Sequence, residues 1–246
     1  DILWSGEARA WPGPFPPLDQ HSAKFRDPEI CANGQKRAIV PFARFETLWF
    51  NTGTLCNLAC EGCYIESSPQ NDSLAYLSRA DVQVYLTEAA ELESRPGTIG
   101  FTGGEPFLNP DMLPMLEDSL SAGFSVLVLT NAMKPMQRFK AALSELNARF
   151  PRRLTFRVSL DHYECEKHER LRGAKSWRPA IEGLIWLAGA KFEITIAGRK
   201  VWNEHELDLR KGYDALFRRL ALPINAYNPG QLVLFPEMDS DADVPE

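Results

Sequence analysis

The chain has 246 residues, a formal net charge of −6 at pH 7 and 44% hydrophobic residues. This length is enough for one sizeable core, and single α/β barrels commonly reach it. The acidic balance argues against broad nucleic-acid binding, which usually needs a basic face. We find no apolar run long enough to cross a bilayer and no signal peptide, so we expect a cytoplasmic protein without a membrane partner.

The N-terminal part of the chain differs in composition from the rest. Residues 1–41 are rich in proline and aromatic residues, as in WPGPFPPL, and show no clear period. We therefore predict an irregular N-terminal arm over residues 1–44 and a core domain over residues 45–235. Residues 236–246 are predicted to form an acidic tail, at which a further C-terminal extension could begin.

From residue 45 onward, strand patterns alternate with helix patterns. This alternation predicts a parallel sheet with right-handed crossovers. The count fits an open or closed α/β barrel and also a doubly wound sheet. The predicted strands are 45–53, 98–101, 124–131, 154–161, 192–199 and 231–235, and the predicted helices include 78–92, 110–123 and 204–220.

Two helix starts carry capping signals. Ser78 and Asp81 have the spacing of a capping box. Ser176 is expected to cap a later helix. The apolar face of that later helix is predicted to be Ile181, Leu184, Ile185 and Ala188.

Residues suited to chemistry come directly after the predicted strands. In α/β barrels and sheets, ligands bind at the carboxyl ends of the strands, so we expect these residues to converge on one site. They are the cysteine segment 54–66, TGGEP at 102–106, Asn131, Ser159, Asp161 and Arg199.

Alternation along the strand at 154–161 predicts a polar inner face. Thr155, Arg157 and Ser159 would point away from the helices, and so would Thr195 and Arg199 on the next strand. A polar interior predicts a ligand or water there, although solvent-facing edge residues are the alternative. Arg157 would then contact a substrate or balance the charge of Asp161.

Three of the five cysteines lie within eight positions, with the spacing CxxxCxxC. They are Cys56, Cys60 and Cys63. Soft thiolates suit both zinc and iron–sulfur clusters. Structural zinc usually takes four protein ligands, and His162, Cys165 or His168 would supply the fourth. A cubane cluster also takes four ligands as a rule, so three cysteines would leave one iron open to an outside ligand.

With these motifs in view, the chain resembles the radical S-adenosylmethionine (radical SAM) superfamily over roughly residues 45–235. The likeness lies in the CxxxCxxC loop with Tyr64 directly after it, GGEP at 103–106, SLD at 159–161 and LRG at 171–173. The resemblance implies a partial (β/α)6 barrel, a TIM-barrel-like radical SAM core.

The resemblance also implies a set of ligands. Cys56, Cys60 and Cys63 would hold a 4Fe–4S cluster, and the methionine amine and carboxylate of SAM would bind its open iron. The residues that the resemblance places around SAM are Gly103, Gly104 and Glu105 at the amine, Ser159 and Asp161 at the ribose or methionine end, Arg199 at the carboxylate, Tyr64 near the adenine, and Asn131 and Asn203 as further polar contacts.

The implied reaction is the reductive cleavage of SAM with an electron from an external reductant, flavodoxin- or ferredoxin-like. The resulting 5′-deoxyadenosyl radical would abstract hydrogen from a peptide, a protein or a small metabolite. Many peptide-modifying members carry a cysteine-rich C-terminal extension, and here no cysteine follows Cys165, so the substrate class stays open. The alternative is a non-catalytic structural zinc or iron–sulfur protein on the same scaffold.

Overall fold

The computed structural model describes residues 24–236, which fall into two compact units, residues 24–42 and residues 43–236. The smaller unit contains an antiparallel bridge between Ile30 and Lys36 and otherwise consists of turns and extended chain. Much of the predicted arm and nearly all of the predicted tail lie outside the described residues. The division into arm, core and tail therefore stays a prediction.

The larger unit is built on six parallel strands that follow one another in chain order across the sheet. A doubly wound sheet reverses its strand order part-way, so this order excludes that alternative. Among the described residues, the first and last strands pair on one side only, and the predicted partial (β/α)6 barrel is confirmed. The strands are β1 (Thr47–Asn51), β2 (Thr98–Thr102), β3 (Ser125–Thr130), β4 (Leu154–Ser159), β5 (Glu193–Lys200) and β6 (Leu232–Pro236).

Helices connect successive strands and cover the outer face of the sheet. They are α1 (Arg79–Glu91), α2 (Met112–Ser121), α3 (Lys134–Gln137), α4 (Lys140–Arg149), α5 (Cys165–Arg172), α6 (Trp177–Gly189) and α7 (Glu206–Arg219), with a 3-10 helix at Pro106–Leu108. None of the helices in residues 24–236 is both long and apolar enough to cross a membrane.

The hydrophobic core lies between the sheet and the helices. On β4, Phe156 and Val158 are fully buried on the helix side, whereas Arg157 and Ser159 are half-buried on the inner side, as the alternation predicts. Phe156 meets Phe192 edge to face, with ring centroids 5.1 Å apart. Burying one such side chain contributes about 1.5–3 kcal/mol, so this outer layer stabilises the strands whose ends carry the site.

The two predicted helix caps turn out differently. The capping box at α1 is confirmed, because Asp81 N donates to Ser78 Oγ and Ser78 N donates to the Asp81 carboxylate, both at 3.2 Å. The predicted side-chain cap at Ser176 is wrong. Ser176 precedes α6 but has helical dihedral angles, whereas a capping side chain needs an extended backbone. Its buried hydroxyl has no hydrogen-bond partner among the described residues.

The predicted apolar face of α6 is also partly wrong. Ile185 is exposed, whereas the predicted Leu184 is buried together with Gly183 and Leu187. A Cβ atom at Gly183 would collide with the carbonyl oxygen of Ala132. The helix therefore turns its smallest residue toward the chain after β3, which rotates Ile185 outward.

Candidate active site

The carboxyl ends of β2 to β5 and the loop after β1 surround a cavity of about 200 Å³. Because parallel strands end at the same edge of the sheet, residues distant in sequence meet here. Nine of the twelve predicted site residues line the cavity: Cys56, Cys60, Cys63, Tyr64, Gly103, Gly104, Asn131, Ser159 and Arg199. The other three, Glu105, Asp161 and Asn203, do not line it.

The two glycines after β2 let their loop lie directly against the cysteine loop. Gly104 N donates to Gly53 O at 2.9 Å, and Glu105 N donates to Leu55 O at 3.0 Å. Gly103 has a φ of +139°, which side chains rarely adopt, and a Cβ atom at Gly104 would collide with Leu55 O. Close contact between two backbones thus accounts for both glycines before any ligand is considered.

The electrostatics of the cysteines depend on burial. Burial raises the pKa of Cys56 to about 12 and also raises the pKa of Cys60, while the positive charge of Arg172 works against both shifts. Such thiols keep their protons until a metal displaces them. Three soft donors lining one cavity, with a cation beside them, form a set that fits an iron–sulfur cluster.

The sequence prediction missed Arg172. It lines the cavity from the last turn of α5, and its Nη2 donates to Asp161 Oδ1 at 3.0 Å. Its Nε lies 2.9 Å from Asp161 Oδ2, an ion-pair contact whose angle does not make a hydrogen bond. Burial acts to lower the pKa of Arg172, but the carboxylate of Asp161 and the negative charge that Cys60 carries as a thiolate raise it above its usual range. The guanidinium therefore stays charged.

Asp161 is placed behind Arg172 and is almost completely buried. Arg172 is thus its counter-ion, and Arg157 is not. Arg157 lies on the inner face of β4, where its Nε donates to Thr195 Oγ1 at 3.2 Å. A direct contact between Asp161 and SAM stays a prediction.

Glu105 directs its carboxylate toward the end of β3. It accepts hydrogen bonds from Thr130 Oγ1 at 2.7 Å, Asn131 N at 2.9 Å and Phe107 N at 3.3 Å. Burial raises the pKa of Glu105 to about 7, and these hydrogen bonds oppose that shift. Glu105 therefore joins the GGEP loop to the end of β3, and its contact with the SAM amine stays a prediction.

The remaining predicted residues differ in their surroundings. Arg199 Nη1 donates to Glu61 O at 2.8 Å, which ties the end of β5 to the cysteine loop. Tyr64 is 72% exposed, and its hydroxyl lies 3.5 Å from Thr102 Oγ1. Asn203 lines a separate surface cavity near Glu204, so the structure does not bring it to the other site residues.

The candidate fourth zinc ligands have other neighbours. His162 Nε2 lies 3.0 Å from a Glu204 oxygen, His168 Nδ1 accepts from Asp161 N at 3.3 Å, and Cys165 is exposed. Within residues 24–236, no group of three or more His, Cys, Asp or Glu side chains is arranged to hold one metal ion. A cluster does not need such convergence, because each cysteine binds a different iron.

Comparison with known proteins places the chain in a family. The family model of the Radical SAM superfamily matches residues 50–211. This chain belongs to the radical SAM superfamily. The superfamily uses a 4Fe–4S cluster and SAM, and the resemblance inferred from the motifs is confirmed.

Individual relatives match parts of this radical SAM chain. The antilisterial bacteriocin subtilosin biosynthesis protein AlbA of Bacillus subtilis (strain 168) is 32% identical over 158 residues, which are 62% of this chain and 33% of AlbA. The mycofactocin maturase MftC of Mycobacterium ulcerans (strain Agy99) is 29% identical over 137 residues, which are 56% of this chain and 35% of MftC. The chain thus spans about a third of the length of these two relatives.

A solved structure shares the fold. Streptococcus suis SuiB bound to S-adenosylmethionine superposes with a TM-score of 0.63 at 14% sequence identity, covering 80% of this chain and 42% of SuiB. At this identity, the likeness supports the half-barrel fold alone.

Proposed function

We propose that this chain is a radical SAM enzyme that cleaves SAM reductively and passes a radical to a substrate. The observation that carries the proposal is the meeting of three cysteines with the GGEP loop in one cavity at the strand ends. Cys56, Cys60 and Cys63 would hold a 4Fe–4S cluster. When bound and reduced, that cluster would supply the electron for the reductive cleavage of SAM.

The chain's own residues bind and orient SAM. Ser159 and Arg199 offer a hydroxyl and a guanidinium from neighbouring strands, suited to the methionine carboxylate of SAM. Gly103 and Gly104 present backbone without side chains, so the amine of SAM can approach closely. Arg172 keeps a positive charge beside the thiolates, which favours their deprotonated form.

Two partners complete the proposal. An external one-electron carrier, flavodoxin- or ferredoxin-like, supplies the electron, and the cytoplasm keeps the thiols reduced. The named relatives differ in what they make, since they include a GTP 3′,8-cyclase as well as AlbA and MftC. The proposal therefore covers SAM cleavage and hydrogen abstraction and leaves both a peptide and a small metabolite as substrate.

The experiment is anaerobic reconstitution with iron and sulfide, reduction with dithionite, and chromatography for 5′-deoxyadenosine after SAM is added. We expect the wild-type protein and Cys165→Ala to form 5′-deoxyadenosine, and Cys60→Ala to form none. Cys165 is a matched control because it is a cysteine outside the cavity. A wild-type protein that takes up one zinc ion, holds no iron and cleaves no SAM would favour the structural-metal alternative.

A further inference from the structure

A second cavity lies beside the cysteine loop. It is about 490 Å³ in volume and is bounded by Asn57 of that loop, by residues around α3 and by the start of α6. Its floor is apolar, because Met133, Pro135 and Pro179 line it. An apolar centre within a polar rim is the anatomy of a protein-binding surface.

The rim of this cavity is positively charged. Lys134, Arg138 and Lys175 are all exposed and line it, and none of the described lining residues is acidic. Within residues 24–236, no ion pair joins any of these three cations to a carboxylate. Since the whole chain carries a formal charge of −6, this is a local positive patch on an acidic protein.

The patch adjoins the candidate active site. Asn57 directly follows Cys56, and its Oδ1 accepts from Asn131 Nδ2 at 2.9 Å. Asn131 lines the strand-end cavity, whereas Asn57 lines the basic one. Asn57 Nδ2 also lies 3.8 Å from Met133 Sδ on the floor of the basic cavity. One pair of hydrogen-bonded asparagines therefore connects the two cavities.

We propose that this basic cavity is the docking surface for an acidic one-electron carrier protein. The proposal rests on the proposed function, which requires an external electron. Encounters between redox proteins are small and transient, and opposite charges speed such encounters and set their orientation. A carrier seated here loses one electron and is oxidised, and the cluster held by the cysteines gains that electron and is reduced. No bond forms or breaks between the two proteins, and no proton moves.

The test compares charge reversal inside and outside the patch. Lys134→Glu, Lys175→Glu and the double variant are matched with Lys191→Glu, an exposed lysine in the turn before β5, at the opposite end of the sheet. Arg138 is left in place because its Nη2 donates to Phe107 O at 3.1 Å and supports the local chain. Each reconstituted variant is reduced either by a bacterial flavodoxin, by a plant-type ferredoxin or by dithionite. Bleaching of the cluster absorbance and formation of 5′-deoxyadenosine are both followed.

We expect the double variant to be reduced by at least one carrier about tenfold more slowly than wild type at low salt, with the gap closing as salt rises. Dithionite should reduce all variants equally, and Lys191→Glu should behave as wild type. Equal carrier rates in the double variant and Lys191→Glu would overturn the docking proposal, as would failure of both carriers to reduce a wild-type protein that dithionite activates. Absence of SAM cleavage by wild type with dithionite would instead refute the proposed function, and the docking proposal with it.

Discussion

Replacing Asp161 by Asn should leave Arg172 as a buried cation without a counter-ion. The Asp161 side chain is 2% exposed and that of Arg172 is 16% exposed. Removing one partner of a buried ion pair lowers the free energy of unfolding by about 3–5 kcal/mol. Because Asn still offers an oxygen to Arg172, we expect the lower end of this range, about 3 kcal/mol. In a domain of this size, that corresponds to a melting temperature lower by about 6–12 °C.

The assay is urea denaturation of the reduced protein without iron, followed by circular dichroism. Glu182→Gln is the matched control, since it likewise replaces a carboxylate by an amide, but in an exposed ion pair. The side chains of that pair, Arg178 and Glu182, are 88% and 52% exposed, respectively. Glu182→Gln should lower the free energy of unfolding by less than about 0.5 kcal/mol. If Asp161→Asn cost no more than this control, the ion pair would not be a buried one and the reasoning from burial would be refuted.

Two further predictions concern the GGEP loop. Burial raises the pKa of Glu105 to about 7, so the native protein holds this proton more tightly than the unfolded chain does. The stabilisation that this proton binding gives at acid pH is lost as the pH rises through 7. The free energy of unfolding of wild type should fall by about 3 kcal/mol more than that of Glu105→Gln between pH 4 and 8, and parallel urea-denaturation profiles would contradict this. Gly104→Ala should lose about 2 kcal/mol or more of stability and bind less iron, because the added methyl group collides with Leu55 O. Gly189→Ala is its control, since a Cβ there meets nothing within 4 Å, and equal urea midpoints for the two variants would count against the collision.

The sheet and the convergence of the site could be predicted because they follow from local patterns. Alternation on β4 decides which side chains face the helices, and the parallel strands bring Cys60, Ser159 and Arg199 to one edge. The sequence alone left a doubly wound sheet open, because the strand–helix count does not determine strand order. Strand order depends on how the helices pack against the sheet.

The residues whose surroundings the sequence did not indicate depend on packing between distant segments. Arg172 reaches the cavity because the end of α5 joins the cysteine loop, where Glu61 N donates to Leu171 O at 2.8 Å. The LRG motif marked this position but gave it no role. Glu105 opens a 3-10 helix, which directs its carboxylate toward β3. Asn203 lies beyond the end of β5, next to Glu204, which is held by His162 and Lys167.

The sequential strand order has a consequence for how the site arises during synthesis. Each new strand pairs with the one made just before it, so the sheet can grow in one direction as the chain leaves the ribosome. All three cysteines follow the first strand, whereas Ser159 and Arg199 arrive only with the fourth and fifth. The thiols are therefore made well before the strands that complete the nucleotide-binding side of the cavity, and a newly made chain passes through a stage in which it has metal ligands but no finished cavity around them.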